Sequence, residues 1–326
     1  MAVYKDALPQ TNWKRTLLAA LAFSIILTLP YPSFGDIRLP IMLSQDSDIH
    51  RSVLESFTKE LDGSKQIVTV KYDLDGQFEK GLKIARKIRT FNPDMVLAIG
   101  TIAALAAKKE IKDVPIVFCL VLNPVSSGLV ESMESPDGNI TGASLDIPLI
   151  TQYKYAKLLI PDLKNIGVIY NPEETGKLVQ NAAEVAKQED LLLTARAIYS
   201  EREVSEALWD LVNKIDALWS VADGTVFGPQ STQYILLNTL RTGTPFIGLS
   251  PSFVKAGALM ALSCDYYDIG KQAAGIANRI LNGESPEDIP ISVPRKVSFH
   301  INLKTADHIG LQVSQDVIKL ADEVIR

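Results

Sequence analysis

Residues 94–101 read Asp-Met-Val-Leu-Ala-Ile-Gly-Thr, and the alanine-rich stretch Ile102–Glu110 follows them directly. The five residues Met95–Ile99 are apolar without interruption, which is typical of a strand buried on both faces of a sheet. Alanine is the strongest helix former, so the residues after Gly-Thr favour a helix. The stretch therefore predicts a buried strand followed by a helix, the repeating unit of parallel α/β sheets.

The same alternation extends in both directions from this unit. Upstream and just downstream we predict strands at Ile37–Ser44, Gln66–Tyr72 and Pro115–Leu122 with helices at His50–Leu61 and Phe78–Phe91. The series starts again at residue 165, with predicted strands at Asn165–Tyr170, Leu193–Ile198, Asp216–Val221 and Pro245–Leu249 and helices between them. Two such series predict two α/β lobes, each with a parallel sheet covered on both faces.

The C-terminal part predicts no third domain. It contains predicted strands at Ala258–Cys264, Ile291–Val293 and Val297–Ile301, and helices at Lys271–Leu281, Thr305–Ile309 and after the capping residue Ser314. So few elements cannot enclose a core of their own, and we expect them to complete the edges of both lobes.

The first 35 residues predict a targeting segment that is not part of the fold. Lys14 and Arg15 form a positive region, Leu17–Leu29 carries no charge, and Ser33-Phe34-Gly35 offers a cleavage site before Asp36. The uncharged stretch is shorter than the roughly 20 residues that a membrane span needs. We expect export to the periplasm with cleavage after Gly35; an uncleaved N-terminal anchor is the alternative.

Composition excludes several classes of protein. The net charge of the 326 residues is −5, and the net +2 of the predicted targeting segment leaves −7 for the other 291 residues. A nucleic-acid-binding protein would carry a basic surplus. Two cysteines are too few for a disulfide framework or a four-thiolate zinc site. We predict Cys119 and Cys264 to be buried free thiols, with a disulfide between them as the alternative.

Signatures of catalysis are weak. The chain has no glycine-rich dinucleotide or phosphate loop, and Gly248-Leu-Ser250-Pro-Ser252 lacks the second glycine of a nucleophile elbow. His50, His300 and His308 fall in predicted helix or tail positions, outside the expected cleft. We therefore predict no enzyme activity, no cofactor and no metal site.

Ligands of open α/β sheets bind beyond the carboxyl ends of the strands. With two lobes facing each other, those ends form one cleft, for which we predict ligand contacts from Ser44, Gln45, Gly100, Thr101, Asn123, Tyr170, Asn171, Asp223, Thr225, Ser250, Asp265 and Tyr266. Hydroxyls, amides and carboxylates suit a small polar or zwitterionic solute. The helix after Thr101 could hold a carboxylate, and Asp223 or Asp265 could pair with an ammonium group. Acid–base catalysis by the two aspartates is the alternative use.

The order of the motifs resembles that of the substrate-binding proteins of bacterial ABC transporters, in the group labelled as tryptophan/tyrosine or uncharacterised uptake components. The resemblance runs from about residue 66 to the C-terminus and is carried by Asp94–Thr101, Pro115–Phe118, Asn123-Pro-Val, Gly128-Leu-Val, Gly138–Gly142, Gly167–Pro172, Asp223, Thr225-Val226, Asp265-Tyr266, Gly270, Leu281-x-Gly283 and Ile301-Asn302. The chain departs from the usual pattern at Asn123, where an aspartate is common.

This resemblance implies the type I periplasmic-binding-protein fold, in which two Rossmann-like lobes are joined by three crossovers. We accordingly expect one lobe from residues 36–144 and 266–290 and the other from residues 145–265 and 291–326. It also implies a monomeric, non-catalytic receptor that closes over a small solute, such as an amino acid, and docks on an ABC permease. A periplasmic sensing module that serves a signalling protein is the alternative function.

Overall fold

The computed structural model describes residues 36–61, 63, 66–136 and 138–326. The predicted targeting segment 1–35 lies outside these residues. Within the described part of the chain, no helix combines the length and apolar character needed to cross a membrane.

The first sheet has five parallel strands in the order β2-β1-β3-β4-β5. Its strands are β1 (Ile37–Leu43), β2 (Ile67–Asp73), β3 (Val96–Ile99), β4 (Ile116–Val121) and β5 (Ile140–Ser144). Every residue of β3 and β4 is buried, as the uninterrupted apolar sequence predicts. The connecting helices are α1 (Asp48–Glu60), α2 (Phe78–Arg89) and α3 (Thr101–Glu110).

The second sheet has seven strands in the order β12-β11-β10-β9-β8-β6-β7. They are β6 (Asn165–Tyr170), β7 (Leu192–Ala197), β8 (Ala217–Trp219), β9 (Phe246–Gly248), β10 (Met260–Cys264), β11 (Val297–Asn302) and β12 (Glu323–Ile325). All neighbours run parallel except β10 and β11. Its helices are α4 (Leu149–Leu159), α5 (Pro172–Gln188), α6 (Val204–Val212), α7 (Pro229–Thr242), α8 (Pro251–Lys255), α10 (Leu303–His308) and α11 (Gln315–Leu320).

The chain passes between the two sheets three times. It leaves the first sheet after Ser144 and returns after Cys264, where helix α9 (Tyr266–Leu281) packs on α1. It leaves again near Ser292, whose isolated bridge to Ala143 borders the first sheet before β11 joins the second. The predicted fold class is confirmed, and the C-terminal part completes both lobes. The predicted residue boundaries of the lobes stay a prediction.

Several local expectations differ from the structure. Strand β5 and helix α4 were not predicted from the sequence. The strand expected at Ile291–Val293 is a single bridge, because Pro290 and Pro294 flank it and proline has no backbone N–H to donate. Cys119 is buried and Cys264 is half-buried, and both are free thiols.

Candidate functional site

Three of the predicted site residues in the first lobe lie together where β1 and β3 end. The Ser44 hydroxyl accepts a hydrogen bond from the backbone N–H of Ala103 in the first turn of α3, at 3.0 Å. Gly100 has a φ of 93°, and a Cβ there would lie 2.4 Å from Ser44 Oγ, so glycine is required. Thr101 begins α3, and Gln45 is an exposed neighbour. A buried hydroxyl therefore lies beside a helix N-terminus in this lobe, and contact of these residues with a ligand stays a prediction.

His50 is a further member of this group that sequence reasoning placed outside the cleft. Its Nδ1 shares a hydrogen bond with Ser47 Oγ at 2.8 Å, while its buried Nε2 has no hydrogen-bond partner among the described residues. The ring lies against Gly100. Burial lowers the pKa of His50, an effect that the charges of Asp46 and Asp73 oppose. The place of His50 in this group is evident from its contact with Gly100, and no local sequence motif predicts it.

The predicted residues of the second lobe also form one group, at the ends of β6 and β8. The Asn171 side chain caps α5 by accepting from the backbone N–H of Glu173, and its Nδ2 donates to Thr225 Oγ1 at 2.9 Å. Glu174, which sequence reasoning did not single out, accepts from the Thr225 hydroxyl and from the backbone N–H of Gly224. The loop after β8 is thus fixed to the first turn of α5.

Asp223 is buried inside this group, and both oxygens of its carboxylate already accept hydrogen bonds from the protein. Oδ2 accepts from the backbone N–H of Asn171 and from the Thr175 hydroxyl, both at 2.7 Å, and Oδ1 accepts from the backbone N–H of Val226 at 3.1 Å. This geometry gives Asp223 a positioning role. The ammonium-binding role suggested from the sequence has no support in these contacts.

The remaining predicted residues are spread around the two lobes. Ser250 precedes α8 and shares a hydrogen bond with Ser252. Asp265 caps α9 by accepting from the backbone N–H groups of Tyr267 and Asp268, while half-buried Tyr266 begins that helix. Tyr170 is half-buried at the end of β6. Of the twelve predicted residues, Asn123 alone lines the cavity described next.

A cavity of about 790 Å³ lies between the two lobes. That volume is typical of small-molecule sites. Its first-lobe wall comes from the loop after β4 and includes Leu122, Asn123, Val125 and Met133. Residues from Leu145 to Gln152, which connect the lobes, form a second wall. The second lobe supplies one side of α5, the strand residues Trp219, Ile247, Met260 and Leu262, and Val221 just after β8.

The aromatic part of this cavity is held in place by hydrogen bonds. Trp219 Nε1 donates to Gln152 Oε1 at 2.9 Å, and Gln152 Nε2 donates to the carbonyl of Ile147 at 2.8 Å. Tyr153 packs edge-on against the indole with ring centroids 6.1 Å apart. A rigid aromatic surface is suited to contact with an apolar or aromatic portion of a ligand.

Asp146 lies where the first crossover passes the cavity, and sequence reasoning did not single it out. Its two carboxylate oxygens share the backbone N–H of Asn123, at 2.9 and 3.1 Å. Asn123 itself has a positive φ of 50°. Burial raises the pKa of Asp146, and hydrogen bonds from Asn123 and Ser144 offset only part of that effect. In the described part of the chain, no group of three or more His, Cys, Asp or Glu side chains is arranged to hold a metal ion.

Comparison with known proteins identifies the family. A tyrosine-binding protein of Clostridioides difficile is 33% identical over 239 residues, which are 72% of this chain and 69% of that protein. The ligand-free, open structure of a substrate-binding protein with adhesive properties from Clostridium difficile matches 89% of this chain and 99% of its own, with 26% identity and a TM-score of 0.71.

A domain from Streptococcus pneumonia in complex with L-Trp matches 89% of this chain and all of its own at 22% identity, with a TM-score of 0.65, and shows the shared fold. The profile of the family described as "ABC transporter substrate binding protein" matches residues 47–325, and this chain belongs to that family.

Proposed function

We propose that this protein binds a small zwitterionic solute, an aromatic amino acid in the first instance, and delivers it to an ABC permease for import. The interlobe cavity is the observation that carries the proposal, because residues of both lobes line it. Substrate-binding proteins of this family are exported, bind small solutes without catalysis and interact with ABC permeases. The tyrosine-binding relative supports the choice of ligand.

The lining of the cavity suits such a ligand. Trp219, Met260 and Leu262 offer an apolar surface, and burying an aromatic side chain there would supply most of the binding free energy. Polar groups at the lobe edges, among them Ser44, Asn171 and Thr225, then reach the ligand as the lobes approach. Contacts that form only when both lobes touch the solute shift the population toward the closed state.

The same proposal assigns residues 36–144 and 266–290 to one lobe and residues 145–265 and 291–326 to the other. It also describes the receptor as a monomer, because two covalently linked lobes already enclose the cavity.

Thermal unfolding of the purified protein against the proteinogenic amino acids, sugars and small carboxylates tests binding. A solute present at 100 times its dissociation constant should add about 2.7 kcal/mol to the free energy of unfolding. We expect L-tyrosine or L-tryptophan to give the largest shift. If no solute raises the melting temperature and one is chemically converted, the receptor function is wrong.

Import needs a second measurement. Uptake of the radiolabelled solute should fall in cells that lack this protein and recover when it is supplied again. Unchanged uptake together with intact binding in vitro would contradict the transport role.

A further inference from the structure

Acidic side chains outnumber basic ones in the lining of the cavity. Its lining contains three carboxylates, Glu131, Glu134 and Asp146, but one cationic side chain, Lys177. Glu131, Glu134 and Lys177 are exposed, whereas Asp146 is half-buried. Solvent screens exposed charges strongly and buried ones much less, so Asp146 dominates the electrostatic preference of the interior.

Asp146 also has unused capacity to accept hydrogen bonds. An ionised carboxylate offers about four acceptor positions. The backbone N–H of Asn123 contacts both oxygens and the Ser144 hydroxyl adds one further hydrogen bond, whereas no lysine, arginine or histidine of the described residues lies within ion-pair distance of them. A desolvated carboxylate without a cation is costly, and a cationic ligand group would remove that cost.

Neighbouring carboxylates do not combine withdrawal from solvent, free acceptor positions and the lack of a cationic partner. Asp223 is buried, but three donors from the protein occupy it. Asp265 accepts from two backbone N–H groups of α9 and lies 3.7 Å from Lys296 Nζ. Asp146 is the charged lining residue that is withdrawn from solvent and lacks a cationic partner in the described part of the chain.

We propose that Asp146 is the residue that binds the ligand's ammonium group and so selects solutes that carry a primary amine. This inference rests on the proposed function, since it assigns a role to a residue of the same cavity. The hydrogen bond from Asn123 fixes the carboxylate, while the aromatic wall at Trp219 receives the apolar part of the ligand. An amine would then add a charge-assisted hydrogen bond that a neutral analogue cannot make.

The test compares amine-bearing ligands with analogues that lack the amine. Isothermal titration at pH 7.5 would use L-tyrosine with 3-(4-hydroxyphenyl)propionate, and L-tryptophan with indole-3-propionate. Asp146→Asn removes the charge but keeps an oxygen that can accept from Asn123. We expect the variant to lose about 30-fold or more in affinity for the amino acid, the usual effect of removing one partner of a buried charge pair, with little change for the analogue.

Two further variants keep the result interpretable. Asp316→Asn neutralises a carboxylate that is 92% exposed and lies outside the cavity lining, so its ligand preference should be that of the wild type. Asp146→Glu retains the charge and should retain a preference for amines. The melting temperature of ligand-free Asp146→Asn should equal or exceed that of the wild type, which separates lost recognition from lost folding.

Specific outcomes overturn the inference. If Asp146→Asn binds the amino acid as tightly as the wild type does, or if the wild type prefers the analogues, Asp146 does not select for the amine. If the wild type binds sugars or simple carboxylates but no amino acid, this inference fails while the solute-receptor function stands. If no solute binds at all, the proposed function fails with it.

Discussion

At the residue scale, Asp146 and Asp223 show how surroundings assign different uses to the same side chain. Both follow a strand of a parallel sheet, but of the two only Asp146 lines the interlobe cavity. Asp223 is 2% exposed and accepts three hydrogen bonds from its own chain, so it holds the loop after β8 in place. Asp146 accepts from the backbone N–H of Asn123 and from the Ser144 hydroxyl, and it lines the cavity. The first therefore contributes to stability and the second to recognition.

Substitution of Asp223 should accordingly destabilise the fold. Asp223→Ala leaves the N–H groups of Asn171 and Val226 and the Thr175 hydroxyl without an acceptor, and we expect the free energy of unfolding to fall by about 2–4 kcal/mol. Urea denaturation measures the change. Asp316→Ala is the matched control, because that side chain is 92% exposed and should change stability by less than about 0.5 kcal/mol. Similar effects of the two substitutions would contradict the positioning role.

His50 gives the fold a dependence on pH. Its folded-state pKa is lowered by burial, so the neutral ring is favoured in the native state and the unfolded state binds more protons in acid. Its stabilising contribution is present above a pH of about 6.5 and is lost as the pH falls through the lowered pKa. Protonation would also make both ring nitrogens N–H donors, and Nε2 has no partner among the described residues.

The measurement is the difference in free energy of unfolding between the wild type and His50→Gln from pH 7.5 to pH 5. We expect the free energy of unfolding of the wild type to fall more than that of His50→Gln as the pH falls. Gln312→Ala alters an exposed side chain that carries no titratable group and should give a difference that does not change with pH. Parallel curves for the wild type and His50→Gln would exclude His50 as the source.

Residue roles were partly predictable from sequence. Capping by Ser314 follows from its position before a helix, and the polar groups at the ends of β1, β3, β6 and β8 follow from sheet topology. The roles of His50 and Asp146 depend on contacts with Gly100 and Asn123, which are distant in the chain. The sequence also cannot show that the oxygens of a buried carboxylate such as Asp223 already accept hydrogen bonds from the protein.

At the element scale, the contact of α1 with α9 depends on one glycine. A Cβ at Gly270 would lie 1.9 Å from Ser56 Oγ and 2.4 Å from the carbonyl oxygen of Val53, so the two helices pack at the distance that glycine allows. Gly275 on the same helix is exposed, and a Cβ there would meet no atom within 4 Å. Alanine substitution at these two glycines therefore compares a packed position with an exposed one on the same helix.

Gly270→Ala should lower the free energy of unfolding by about 1–3 kcal/mol, because α9 must move away from α1. Gly275→Ala should raise it by about 0.5–1 kcal/mol, because alanine is the better helix former. Chemical denaturation of both variants gives the two values. A stabilising Gly270→Ala would show that the helices can separate at no cost.

The long apolar strands and amphipathic helices were predictable because their periodicity is local. Strand β5 was not, because its sequence Ile-Thr-Gly-Ala-Ser is short and contains a glycine. That glycine is required by packing, since a Cβ at Gly142 would lie 2.1 Å from the carbonyl oxygen of Phe118 on β4. Tertiary contact thus overrides the weak strand propensity of the segment.

At the scale of the whole molecule, the second and third crossovers are tied to each other. Arg295, just before β11, donates two hydrogen bonds to the buried carboxylate of Asp268 on α9, at 3.0 and 3.2 Å. Lys296 lies 3.7 Å from Asp265 at the start of the same helix. These pairs keep adjacent crossovers together, so we expect the lobes to move as rigid bodies about a narrow hinge.

Hinge closure predicts a change of shape on binding. Small-angle X-ray scattering of the purified protein should give a smaller radius of gyration with saturating L-tyrosine or L-tryptophan than without, because ligand contacts from both lobes favour the closed state. Asp146→Asn at the same ligand concentration should keep the ligand-free radius, since its occupancy falls with its affinity. Raising the ligand until the variant is saturated should restore closure, because the apolar wall and both lobes are intact. A wild-type radius that stays constant while calorimetry shows full occupancy would mean that the cavity binds its solute without closing, and the lobes would then have to signal to a permease by another route.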